Sequence, residues 1–133
     1  MVKIYNNIIP FKGFLAITIW PFIFIRKKLR YTFDAIDERH ENIHGEQQKE
    51  MLLVGIALAI ILAVFGCGWW SLLAVPVYFW WYFVEWLIKC VYYRNSKTAY
   101  KNIGFEREAF EHQNDLMYIY DRMPFAWFEL IKE

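Results

Sequence analysis

Histidine and cysteine are scarce in this chain, three and two residues in 133, and net charge is almost absent. Cys67 and Cys90 are too few and too far apart for a disulfide framework or a thiolate metal site, and read as small buried hydrophobes. Fifteen basic residues against fourteen acidic ones leave a formal charge of +1. No basic excess is available for a phosphate backbone and no RNA-binding or helix-turn-helix pattern appears, so nucleic acid is excluded as a partner. The opening MVKIYNNIIPFKG lacks a charged segment followed by a clean apolar core and a cleavage site, so no removable signal peptide is expected. What the chain has in excess is apolar surface. Hydrophobic residues make up 58% and aromatics 21%, against about 45–50% apolar in ordinary soluble domains. At one domain's length, that surplus points to a lipid bilayer as partner.

Two of the three histidines fall in His40-Glu41-Asn42-Ile43-His44, an H-E-x-x-H run just before a long apolar stretch. Positions i and i+4 of a helix share a face, so both imidazoles can reach one metal ion. Glu41, rotated by roughly 100°, can flank the ion and accept a proton from water without being a ligand. This is the zinc-peptidase signature. It makes Zn2+ the expected cofactor, His40 and His44 expected ligands and Glu41 the expected catalytic base.

Residues 1–36 are expected to form a small antiparallel sheet. KIYNNII, FLAITIW and FIFIRKKL are strand-like, and FKGF and WPF fall where turns belong. A membrane segment over Phe11–Ile25 is the rival, but it is short of the ~20 residues a span needs and contains Lys12 and Pro21. Either FLAITIW or FIFIR can supply an edge strand for an extended peptide. A helix is expected to start at Asp34 or Asp37 and carry the motif through residues 37–50, with Gly45 a mild weakener. Gln47 and Gln48 extend the histidine face. Met51–Trp70 holds no charge, Gly66-Cys67-Gly68 breaks the run, and Ser71–Tyr93 is apolar apart from Glu85 and Lys89. Residues 51–93 therefore read as a transmembrane hairpin, with tryptophans and tyrosines at its ends and Glu85 paired to Lys89 in a packing role. A hairpin returns both outer ends to one side. Arg26, Lys27, Lys28, Arg30, Lys49, Arg94, Lys97 and Lys101 flank those ends, which places them and both termini on the cytoplasmic side.

A catalytic zinc takes three protein ligands, so the third must lie in residues 94–133. Ala99, Ile103, Glu106, Phe110, Gln113, Met117 and Tyr120 recur at spacings of four and three, forming one helical stripe. Glu106 is its inward carboxylate and the expected third ligand, whereas Arg107, Glu108 and Glu111 fall outside as solvated residues. His112, Tyr118, Tyr120 and Arg122 follow and are the possible transition-state stabilisers, with no spacing to choose among them. Met123-Pro124 ends the helix, and PFAWFELIKE is expected on the membrane surface or against the sheet.

HENIH, an apolar hairpin and then Phe105-Glu106-Arg107-Glu108-Ala109 together resemble the gluzincin clan of metallopeptidases, especially its integral-membrane branch of the CAAX-prenyl-protease type. They also resemble short bacterial membrane proteins carrying H-E-x-I-H, Q-Q and a later F-E-R-E-A. The clan's later helix carries F-E-x-x-A-D; Phe105, Glu106 and Ala109 match, and Phe110 stands in place of the aspartate. The resemblance implies a peptide or protein substrate, a bacterial inner-membrane location and an α+β membrane fold: sheet, active-site helix, hairpin and C-terminal ligand helix. The alternative is a non-catalytic, metal-stabilised membrane protein or a subunit of a larger complex or oligomer. A di-iron site would require a second E-x-x-H pair, which the sequence lacks.

Overall fold

The computed structural model describes residues 1–131, a mixed α/β fold with one small sheet and mostly helix. Three strands form where expected: β1 (Val2–Asn6), β2 (Ala16–Ile19) and β3 (Phe22–Arg26). The sheet is mixed rather than antiparallel. Its order is β1-β3-β2, with β2 antiparallel and β1 parallel to β3. The reason lies in composition. FIFIR is the most apolar strand, and its Ile23 and Ile25 are fully buried. It takes the centre, and the strand bearing Lys3 and Asn6 is left on an edge. Because β1 and β2 are separated by the Asn7–Leu15 connection rather than a tight turn, β1 can lie on the far side of β3 and run parallel to it. The FKGF turn is present, with Phe14 N–H donating to the Phe11 carbonyl at 3.3 Å.

Helix α1 (Ala35–Val64) starts at the first of the two candidate caps. The Asp34 carboxylate accepts from the N–H groups of Ile36 and Asp37, and Asp37 returns a bond to the Asp34 N–H. That reciprocal box satisfies the otherwise unpaired first-turn donors. The helix carries the motif and then the apolar run without a break, ending at Gly66. With φ of +89°, Gly66 occupies the left-handed position that closes a helix, while Cys67 N–H bonds back to the Leu62 carbonyl. Of the charge-free run, only Met51–Val64 is helix, about 21 Å at 1.5 Å per residue. The chain then returns through a 3-10 helix at Gly68–Ala74 and bends by 61° into α2 (Val77–Tyr93). The second arm is thus broken, and among the described residues one helix, or two counting the bent pair, is long and apolar enough to cross a membrane. Cys67 is exposed and Cys90 half-buried, so neither is the buried hydrophobe expected. Residues 65–70 at the tip are all exposed.

Glu85 and Lys89 on α2 pair at 2.8 Å and dock the C-terminal region. Glu85 accepts from the Gly104 N–H and the Trp81 indole, and Lys89 donates to the Asn102 carbonyl. The single ligand helix expected after residue 94 is three short ones, α3 (Ser96–Lys101), α4 (Gly104–His112) and α5 (Tyr118–Asp121). Ile103, extended, interrupts the first pair. The stripe is therefore buried at Ala99, Ile103 and Glu106, loosens at Phe110 and Gln113, and fails beyond, leaving Met117 and Tyr120 exposed. Of the final aromatic segment, Trp127 belongs to the core, while Phe125 and Phe128 are exposed. Trp127, on a 3-10 helix at Ala126–Ile131, packs 4.3 Å from the Phe105 ring. The last two residues of that segment lie outside the described residues.

Two glycines of α1 make opposite predictions. A Cβ at Gly55 would meet the backbone carbonyls of Val75 and Ala74 at 2.5 and 2.7 Å, whereas one at Gly45 meets only the flexible end of Met1. Gly55→Ala should lower stability by about 1–3 kcal/mol, measured by thermal melting in detergent. Gly45→Ala should be neutral or gain up to about 1 kcal/mol from helix propensity. Equal effects would show that the hairpin arms are not packed this closely.

Candidate metal centre

His40 and His44 lie one turn apart on α1, and α4 brings Glu106 across from them. The histidine Nε2 atoms are 3.1 Å apart. Glu106 Oε2 lies 3.4 Å from His40 Nε2, and Oε1 lies 3.4 Å from His44 Nε2. All three residues are buried, and their ligand atoms fall within 4.8 Å of one another. A tetrahedral ion with bonds of roughly 2.0–2.1 Å would hold neighbouring ligand atoms about 3.3 Å apart. The imidazole nitrogens are near that spacing and each faces its own oxygen of Glu106, so an ion between them would meet both imidazoles and the carboxylate.

Hydrogen bonding on the far side of each ring says why a cation belongs there. His40 Nδ1 meets Gln113 Oε1 at 3.2 Å, and His44 Nδ1 meets Gln47 Oε1 at 2.8 Å. An amide oxygen only accepts, so each neutral ring carries its proton on Nδ1 and a bare lone pair on Nε2. Two lone pairs and a carboxylate then converge, and Glu106 Oε2 has no hydrogen-bond partner. The residues fit a metal ion. Without one, a proton is the remaining counter-charge. Burial pulls the His44 imidazole down, but the Glu106 carboxylate, by charge and contact, with Glu41 behind it, raises it to about 9. Burial likewise pushes Glu106 up, and the two imidazoles reverse this, holding it well below the usual carboxylate range.

Glu41 points to the same cavity. Thr18 on β2 donates to Glu41 Oε2 at 2.7 Å, so the sheet orients the carboxylate. Gln48 fixes β2 beside it, accepting from the Trp20 N–H and donating to the Thr18 carbonyl, both at 2.8 Å. The cavity, about 310 Å³, is lined by His40, Glu41, His44 and Glu106, with Phe14 and Ala16 on the rim. A wider groove of about 660 Å³ shares His40, Glu41, Phe14 and Ala16 with it. Together they are of the size that encloses small ligands.

Three tyrosines complete the site, and none was expected there. Tyr82 donates to Glu106 Oε1 at 2.8 Å, Tyr78 places its hydroxyl 3.4 Å from His44 Nδ1, and Tyr100 lines both cavities. Burial, then the charges of Glu106 and Glu41, push the Tyr100 phenol far up, so it stays a donor. A signal for two of them exists in the sequence: Tyr78, Tyr82, Glu85 and Lys89 recur at four, three and four residues, a polar stripe inside an apolar helix.

The suggested transition-state stabilisers are elsewhere. His112 stacks on Tyr118 at 3.7 Å, Tyr118 donates to Glu108, Tyr120 is exposed, and Arg122 is clamped between Glu50 and Glu108. None of the four lines the cavity. Glu108, expected in solvent, is fully buried. The stripe argument assumes one packing partner per helix, whereas α4 is covered by α1 on one side and by the 126–131 segment on another. Phe110, at the position of the expected aspartate, sets its ring 4.7 Å from His40, and the missing acceptor is supplied by Gln113.

No protein-family model, curated protein or solved structure matches this chain.

The His44 shift predicts a pH dependence. Its pKa rises from 6.5 unfolded to about 9 folded, so its contribution is fully present below pH 6.5 and is lost as pH rises through 9. Metal-stripped protein should therefore melt at progressively lower temperature between those values. Saturation with metal should flatten the decline, because the ion replaces the proton. A flat profile without metal would contradict the coupling of His44 to Glu106.

Proposed function

We propose that this protein is a membrane-anchored zinc metallopeptidase of the gluzincin kind. One observation carries the reading: two histidine nitrogens and a carboxylate, all buried, converge within 4.8 Å of one another in a cavity that also holds Glu41. His40, His44 and Glu106 would hold the zinc, and a zinc ion so held polarises a carbonyl and lowers the pKa of water to about 7. The peptide substrate lies along the Phe14–Ala16 rim beside β2, an edge strand. Glu41, steadied by Thr18 through Oε2, takes the proton of the attacking water and delivers it to the leaving amine. Tyr100 replaces the sequence candidates as the hydroxyl that donates to the carbonyl oxygen as charge develops.

Support for membrane anchoring comes from the apolar half of α1 and the outer face of α2. Leu53, Ile60, Val64, Leu87, Ile88 and Val91 are all exposed, a surface too large and continuous for water. The hairpin enters the bilayer with Trp69 and Trp70 at its tip, and both outer ends stay on the cytoplasmic side.

Glu41→Gln should retain stoichiometric zinc and lose hydrolysis of a peptide library by at least about 100-fold, the scale of a general base. Unchanged hydrolysis would remove Glu41 from the chemistry. A complete lack of hydrolysis by zinc-loaded wild-type protein would favour the non-catalytic alternative. Topology has its own reporter in Cys67, which is exposed at the tip. A membrane-impermeant maleimide should modify it from the side opposite the termini, and modification from the same side would overturn this placement.

A further inference from the structure

Gln47 follows His44 by one turn on α1 and is wholly buried. Its Nε2 donates to the Phe105 carbonyl at 3.0 Å and to Glu108 Oε2 at 3.1 Å. Both are groups that only accept, so the amide cannot be reversed without setting oxygen against oxygen. Its Oε1 is thereby committed to His44 Nδ1 at 2.8 Å.

Glu108 is held just as firmly. Arg122 bonds both its oxygens, with Nη2 to Oε2 at 3.1 Å, and Tyr118 donates to Oε1 at 3.1 Å. Arg122 also reaches Glu50 on α1. A buried carboxylate facing this fork accepts on both of its oxygens. An unbroken line of directional bonds therefore runs from Arg122, just past α5, through Glu108 and Gln47 to the ring of His44.

We propose that Gln47 is a positioning residue for the metal centre, and that the buried Glu108–Arg122 pair sets its amide so that His44 always presents a bare Nε2 to the ion. The proposal rests on the metal-centre reading. It assigns to α1 itself the orienting of His44, as Gln113 orients His40 where the Phe110 position lacks an acceptor. An amide performs that role without adding negative charge beside Glu106 and Glu41.

The test is zinc affinity of the purified full-length protein in detergent, by competition with a chromophoric chelator, with thermal melting as a check on folding. Gln47→Leu removes the acceptor and should weaken zinc binding about 10–100-fold. Gln47→Glu alone sets two carboxylates together, and Glu108→Gln alone lets the Gln47 amide turn, so each should also weaken binding. The double variant, Gln47→Glu with Glu108→Gln, restores an acceptor to His44 and a donor to that acceptor but leaves the Phe105 carbonyl facing a carboxylate, so it should bind zinc more tightly than its weaker parent while staying short of wild type. Wild-type affinity in folded Gln47→Leu, or in Glu108→Gln should the former not fold, would overturn the proposal. So would a double variant no better than its weaker parent, the behaviour of a residue that merely packs. Absence of zinc binding by the wild-type protein itself would instead sink the metal-centre reading, and is recognised before any variant is compared.

Discussion

Lone pairs that face one another inside a protein need a positive charge between them. Here two imidazole nitrogens at 3.1 Å and a carboxylate at 3.4 Å from each meet in a buried space. Each imidazole has its only proton committed to the opposite side by a glutamine oxygen. Neutral and empty, the arrangement would be repulsive; with a proton or a metal ion it holds α1 and α4 together. The surrounding structure follows from this requirement. The sheet steadies Glu41 through Thr18, α2 contributes the Tyr82 hydroxyl to the carboxylate, and the Glu85–Lys89 pair fixes the turn from which α4 starts.

A good part of this was legible in the residues. The four-residue histidine spacing and the stripe through Ala99, Ile103 and Glu106 placed the three ligand groups on facing helix surfaces, and Asp34 marked the helix start. The strands of the N-terminal region were readable because turns at FKGF and WPF punctuate them. Pairing order was not, because alternation tells which face is buried and not which strand lies in the middle. Glu108 was misplaced for a related reason: periodicity finds a face, and α4 has two. The tyrosines of α2 were hidden by hydropathy, which counts Tyr78 and Tyr82 as part of the apolar run and is blind to where a hydroxyl points.

Two polar networks thus meet at α1, one around His40, His44 and Glu106 and one built on Arg122. Gln47 joins them. Their separation explains why the residues following α4, which seemed placed to act on a substrate, are engaged in holding the chain: Tyr118 and Arg122 both spend their hydrogen bonds on Glu108. The cavity is lined instead by side chains from α1, α2, α3 and α4.

X-ray absorption on the purified, zinc-loaded protein, together with its metal content, bears most directly on the account. One ion per chain, with two imidazole nitrogens and one carboxylate oxygen at about 2.0–2.2 Å, is the predicted result, with the ion lost in His44→Ala and in Glu106→Gln. An unaltered spectrum and stoichiometry in those variants would contradict it.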